Sequence, residues 1–192
     1  MNLIPIKIEC MKTLGVALLL ACGIVAVNTS LAAENVALDE HLEPLRPFLG
    51  KTWKGHFKNS TPEKPMIDIS RWERALNGKA VRILHSINHG QYGGETLIVW
   101  DAAKQSLVYF YFTTAGFRTT GTMTLKDKLI TSHEFVTGGT AEGEGVTEVR
   151  ATSELRPDGT LHVKSEYLKK GEWVAGHDIS YREDAKAEVL FK

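Results

Sequence analysis

The sequence predicts an all-β fold, an antiparallel up-and-down barrel of about ten strands, and three observations carry that reading. After Gly50 the apolar residues recur with a period of two rather than 3.6. The alternating runs are punctuated by short turn-forming groups such as Asn77-Gly78, Asp101–Lys104, Lys126-Asp127, Arg156–Gly159 and Lys170-Gly171. Connections this short cannot hold crossover helices, so successive strands run antiparallel. Finally, a single open sheet of this size would curl or leave two unpaired edges, which closure removes. A β-sandwich is the alternative, because Ser60–Pro65 and Thr137–Gly145 are long enough to pass between two sheets.

In chain order, residues 1–33 read as a signal peptide, with Met11 as an alternative start. Met11-Lys12 supplies a positive head and Ser30-Leu31-Ala32 a small-residue exit. Between them, Leu14–Val27 is an apolar run of about 14 residues, short of the roughly 20 that a spanning helix needs. The expectation is a secreted or periplasmic protein whose single domain covers residues 34–192. Leu19-Leu20-Ala21-Cys22 offers the alternative of a lipoprotein attached through Cys22. Both cysteines, Cys10 and Cys22, lie in this leader, so the mature domain is expected to have neither disulfide nor thiol chemistry. Basic and acidic residues balance at 23 each, and removing Lys7, Lys12 and Glu9 leaves one excess negative charge. That balance gives no attraction for nucleic acid or an anionic membrane.

Residues 39–49 place Leu42, Leu45, Phe48 and Leu49 at helical spacing, with Pro44 and Pro47 restricting them to short turns, which reads as a plug or lid. The expected strands are Lys51–Lys58, Met66–Leu76, Lys79–His89, Glu95–Asp101, Ser106–Thr113, Phe117–Leu125, Lys128–Val136, Val146–Leu155, Thr160–Lys169 and Glu172–Arg182. Asn77-Gly78 is the clearest hairpin signal, since a type I′ turn needs positive φ at both central residues. In Met66–Leu76 the apolar phase switches between Ile69 and Trp72, which predicts a bulge. Glu148, Arg150, Thr152 and Glu154 form a polar face opposite Val149, Ala151 and Leu155, so water is expected outside. A membrane barrel would reverse that arrangement.

Gly50-Lys-Thr-Trp53, opening the first strand after a turn, resembles the Gly-x-Trp start of lipocalins with one extra residue. The resemblance implies that Trp53 closes one end of the barrel, with Arg182 of Ile179-Ser-Tyr-Arg182 packed across it as a cation–π lid. Tyr92-Gly93-Gly94-Glu95 through Trp100-Asp101-Ala-Ala-Lys-Gln105, together with that closing segment, resembles a family of uncharacterised bacterial secreted domains of the lipocalin-like (calycin) type. The likeness spans most of residues 45–182. It implies fold and export and carries no catalytic residue.

The residues themselves suggest a small apolar ligand held inside the barrel by burial. Trp72, Tyr109, Tyr111, Phe117 and Phe135 are the candidate pocket aromatics, and Arg71 or Arg118 the candidate anchor for a ligand carboxylate. In Tyr109-Phe-Tyr-Phe112 only one face can look inward, so two of the four are expected against the N-terminal segment. His85, His133 and His177 sit in phase with apolar neighbours and join the candidate ligand-binding set. His85 and His89 have a metal-binding spacing for a helix. On a strand they are about 13 Å apart, too far to share an ion. No metal or cofactor is expected.

Two alternatives stand beside ligand binding. One is a small envelope lyase, isomerase or hydrolase, in which His133 or His177 meets a carboxylate in an open cavity. Asp68, Glu73, Glu166 and Asp178 are the carboxylates that could meet there. The other is a filled barrel that acts as an interaction module through Leu42–Leu49 or Val189–Phe191. Thr137–Gly145 is glycine-rich without the Gly-Lys-Ser/Thr ending of a phosphate loop, and reads as a hairpin or mouth loop.

Overall fold

The computed structural model describes residues 37–138 and 145–192. The leader expected over residues 1–33, both cysteines and most of the glycine-rich stretch lie outside the described residues. Ten antiparallel strands close into one barrel in sequence order. They are β1 (Lys51–Phe57), β2 (Ile67–Ala75), β3 (Ala80–Ile87), β4 (Tyr92–Asp101) and β5 (Ser106–Thr113). β6 (Arg118–Lys126), β7 (Leu129–Gly138), β8 (Val146–Leu155), β9 (Leu161–Lys169) and β10 (Glu172–Glu183) complete it. β1 pairs with β10 from Trp53–Glu183 to Phe57–Ile179, which seals the seam and rules out the sandwich.

Asn77 and Gly78 adopt φ 54° and 88°, as a type I′ turn requires, and Lys79 N–H closes it on the Leu76 carbonyl at 3.0 Å. Leu76 also has a positive φ, so the ladder ends one pair earlier, at Ala75–Ala80. β2 runs in continuous register against both neighbours, without the expected bulge. Its inward row is Asp68, Ser70 and Trp72, while Ile67 and Ile69 face outward beside the C-terminal tail. The apparent phase switch came from a polar interior row at the far end of the strand. Register shifts occur instead at Arg118/Thr119, Val146/Glu148 and Ala175/Asp178.

One half of the barrel is solid. The 3₁₀ segment Glu43–Phe48 seals that end, with Leu42, Leu45 and Phe48 fully buried against Trp53, Trp72, Val81 and Ile98. Burying each such side chain is worth about 1.5–3 kcal/mol, so these three residues form a plug rather than an exposed patch. Arg182 does not cover Trp53. Strand parity turns Tyr181 inward and Arg182 outward, where Arg182 reaches Asp158, and the Lys51 ammonium lies 5.4 Å from the Trp53 ring instead.

Inward tyrosines lie flat over glycines on adjoining strands. Tyr181 covers its register partner Gly55, and Tyr109 covers Gly121. A Cβ at either glycine would overlap the ring, so the bare backbone is what lets each ring hug the wall. Gly55→Ala is therefore expected to displace Tyr181 and to cost about 1–3 kcal/mol. Urea titration should show a lower midpoint with an unchanged m-value.

Candidate functional site

The other half of the barrel holds a cavity of about 340 Å³, at the low end of small-molecule sites. Phe57, Ile87, Phe117, Val136, Val149 and Val163 give it an apolar wall, and Tyr92, Tyr111, Tyr167 and Tyr181 add rings with hydroxyls. The polar groups form two clusters that strand parity brings together.

The first cluster is built on Asp68 of β2, which is 3% exposed. Its Oδ2 accepts the Tyr181 hydroxyl at 2.7 Å, and its Oδ1 lies 2.9 Å from His85 Nδ1 on β3. His85 Nε2 is 2.7 Å from the Tyr111 hydroxyl, which is 2.9 Å from that of Tyr92. A carboxylate only accepts, so Nδ1 carries the proton. In a neutral imidazole Nε2 then accepts from Tyr111, and Tyr111 accepts from Tyr92. The last oxygen of the chain, on Tyr92, is left with lone pairs toward the cavity. Burial pushes the Tyr111 and Tyr181 hydroxyls well above the usual phenol range and raises that of Tyr92, so all three stay protonated at neutral pH.

The second cluster is Glu134 on β7, whose Oε2 accepts the Thr119 hydroxyl at 2.6 Å and which also bonds Tyr109. Burial raises the carboxyl above its ordinary value of 4.5, and these hydrogen bonds oppose the shift only in part. Across the cavity, burial lowers His177, whose ring stands edge-on to Phe57 at 5.0 Å and Tyr167 at 5.5 Å. Tyr167 is pushed up to about 12, chiefly by burial.

Of the residues expected at a pocket, Tyr111, Phe117, His85 and His177 line this cavity. Trp72 and Tyr109 point inward but lie in the packed half or beneath the cavity floor, with Trp72 stacked on Phe48 at 5.2 Å. Four others face away from the interior. Phe135 and His133 are on the outer side of β7, where His133 Nε2 meets Glu148 at 2.8 Å. Arg71 and Arg118 are exposed, and Arg71 pairs with Glu73 at 2.6 Å. The physical reason is parity: Ile130, Ser132 and Glu134 are the inward row of β7, so the apolar Phe135 falls on the outside. Phe110 and Phe112 are likewise about half exposed on the outer wall rather than covered by the N-terminal segment.

Of His85, His133 and His177, the first and last line one cavity while His133 faces outward, and His89 sits in the turn after β3 with φ 58°. Among the four expected carboxylates only Asp68 is interior. Glu73 is bonded to Arg71 and Arg82, Glu166 to Arg150 and Asp178 to His162, all on the outer face. Asp68 belonged to that loose set of four, whereas Glu134, Tyr92, Thr119, Ser165, Tyr167 and Tyr181 were not singled out as site residues. The signal for Glu134 was available in its alternation with Ile130 and Ser132.

No protein-family model and no curated protein matches the chain. Among solved structures it is similar to Rv2717c from M. tuberculosis, at 13% identity and a TM-score of 0.50, over 76% of this chain and 96% of that one. That likeness concerns the fold. The closed ten-strand barrel agrees with the architecture that the lipocalin-like resemblance implied.

Two substitutions test the clusters. Tyr181→Phe removes one of two donors from buried Asp68 and should cost about 1–3 kcal/mol in chemical denaturation. Glu134 behaves differently. Because its folded-state pKa is raised, its contribution to stability is full below 4.5 and is lost as pH rises through the folded-state value. Glu134→Gln keeps an acceptor for Thr119 without the ionisation. Its Tm should exceed the parent's at neutral pH, and the gap should close as pH falls toward 4.5.

Proposed function

We propose that this protein binds a small, largely apolar molecule inside the open half of its barrel. The observation that carries this reading is the cavity of about 340 Å³ above a plugged, fully packed half. An interior that served only stability would be filled to ordinary packing density. Among the described residues, four strand connections at the open end, between β1 and β2, β3 and β4, β5 and β6, and β9 and β10, frame the entrance. Export to the periplasm or medium, by a cleaved leader or through Cys22, and membership of the lipocalin-like secreted domains are part of the same proposal. They rest on the sequence patterns already given.

A second reading, proton-transfer catalysis, is favoured by the Asp68–His85–Tyr111–Tyr92 chain. It is the histidine–carboxylate pair expected of an enzyme, formed by His85 rather than His133 or His177. Both nitrogens of His85 are occupied by protein partners, however, so only Tyr92 presents the end of the chain to a ligand. That arrangement suits orientation of a bound molecule better than abstraction of a proton from it.

The neutral fluorescent probe N-phenyl-1-naphthylamine tests the cavity. Its emission should rise on titration with the protein. Ala151→Trp, which fills the cavity from β8, should weaken this binding at least tenfold while the fold persists by circular dichroism. Undiminished binding to the filled variant would show that the probe sits elsewhere.

A further inference from the structure

The cavity wall is one-sided in charge and in hydrogen bonding. Its ionisable acids are Asp68 and Glu134, and among the described lining residues there is no Lys or Arg. Asp68 is already satisfied by Tyr181 and His85. Glu134 is different: Thr119 and Tyr109 donate to it as neutral hydroxyls, and no Lys or Arg among the described residues lines the cavity beside it. The imidazole next to it in sequence, His133, points outward to Glu148. A buried carboxyl without a cation is costly to keep, and a well-packed apolar residue would be cheaper. Tyrosine rings flank it, the surfaces on which cations stack, and the Tyr92 oxygen presents lone pairs. Arg71 and Arg118, the groups that would have received a ligand carboxylate, are both outside.

We infer that the ligand is a small aryl or alkyl amine, bound as its ammonium with the nitrogen at Glu134 and the apolar part against Tyr92, Tyr167 and Phe117. The inference rests on the reading of the cavity as a ligand site and inverts the polarity that the sequence suggested. The ammonium supplies the missing cation and donates to Glu134, while aromatic faces and the valine wall desolvate the remainder. A fatty acid or other anion meets two carboxyls here, and its basic neighbours among the described lining residues are His85, held by Asp68 and Tyr111, and His177, whose charged form burial disfavours.

Proton linkage follows. In the free protein, burial favours the protonated Glu134 carboxyl, and an ammonium beside it favours the carboxylate. Binding in mildly acidic buffer therefore releases a proton, and affinity rises with pH. The phenols facing Glu134 are Tyr92 on β4, Tyr109 and Tyr111 on β5, and Tyr167 on β9, while His133, next to it on β7 with its ring turned outward, opposes the upward shift through space. The phenols all have raised pKa values and stay protonated over that range. Asp68, His85 and His177 line the same cavity from β2, β3 and β10.

The experiment is isothermal titration of the protein with 2-phenylethylamine, 3-phenylpropanol and 3-phenylpropionate, in buffers of different ionisation enthalpy between pH 5 and 8. The expected result is that the amine binds at least tenfold more tightly than the alcohol, and the propionate most weakly. Amine binding should release protons at the acidic end. Glu134→Gln should lose at least tenfold for the amine, abolish its preference over the alcohol and show no proton release. If the alcohol or the propionate binds as well as the amine, or Glu134→Gln keeps the amine preference, the amine assignment is overturned while the cavity remains a binding site. If none of the three binds, nor N-phenyl-1-naphthylamine, both readings fall together.

Discussion

The seam between β1 and β10 is the constraint on which the rest of the molecule depends. Once Trp53–Glu183 and Phe57–Ile179 are paired, no strand has a free edge, and every residue of every strand is assigned to lumen or outer wall. The seam also carries Tyr181 across from the last strand to Asp68 on the second, residues 113 positions apart in sequence. A chain whose ends are joined this way has mostly long-range contacts in its closing step. Its folding is therefore expected to be governed by loop closure rather than by local helix formation.

Within that frame the two ends of the lumen are finished differently. At the plugged end Leu42 and the 3₁₀ segment after it bring three large, fully buried apolar side chains into one cluster with Trp53 and Trp72. At the open end the inward rows turn polar, with Asp68, His85, Thr119, Glu134 and Ser165 among aromatic residues. Ten strands enclose more space than the eight that side chains alone can just fill, so leaving one half unplugged leaves a cavity. The laying of tyrosines over glycines preserves it, because a ring flat against the wall takes less of the lumen than one projecting across it. The outer face is treated more loosely. Its ion pairs, such as Arg150–Glu166 and Arg71–Glu73, are exposed and contribute little to stability.

Much of this architecture was legible in the sequence because a strict two-residue period and short turns leave few topologies. Ser106–Thr113 and Val146–Leu155 have the expected bounds, and most others differ by one or two residues at the ends. β4 was the larger exception: it begins at Tyr92 rather than Glu95, and its glycines Gly93 and Gly94 pair with Ser86 and His85. The site was read less well, for a physical reason. The rule that apolar residues face inward holds at the plugged end and fails where the lumen is polar. On β2 and β7 the acids Asp68 and Glu134 hold the inward phase, and Ile69 and Phe135 the outward one. The same residues that make the cavity chemically interesting therefore disguised which face was inside.

The C-terminal tail runs back along the outer wall after β10, with Leu190 N–H bonded to Ser86 Oγ at 3.0 Å and Phe191 resting against Gly93. Lys192 thus ends beside Gly90, in a turn at the cavity mouth, whereas Ala37 packs on Gly78 at the plugged end. The described chain has an entry pole and an exit pole. A barrel tethered beside Ala37 presents its opening away from the support, whereas a fluorophore or bulky group attached at Lys192 stands at the doorway. The point of attachment thus sets whether solutes reach the lumen freely or past an appended group.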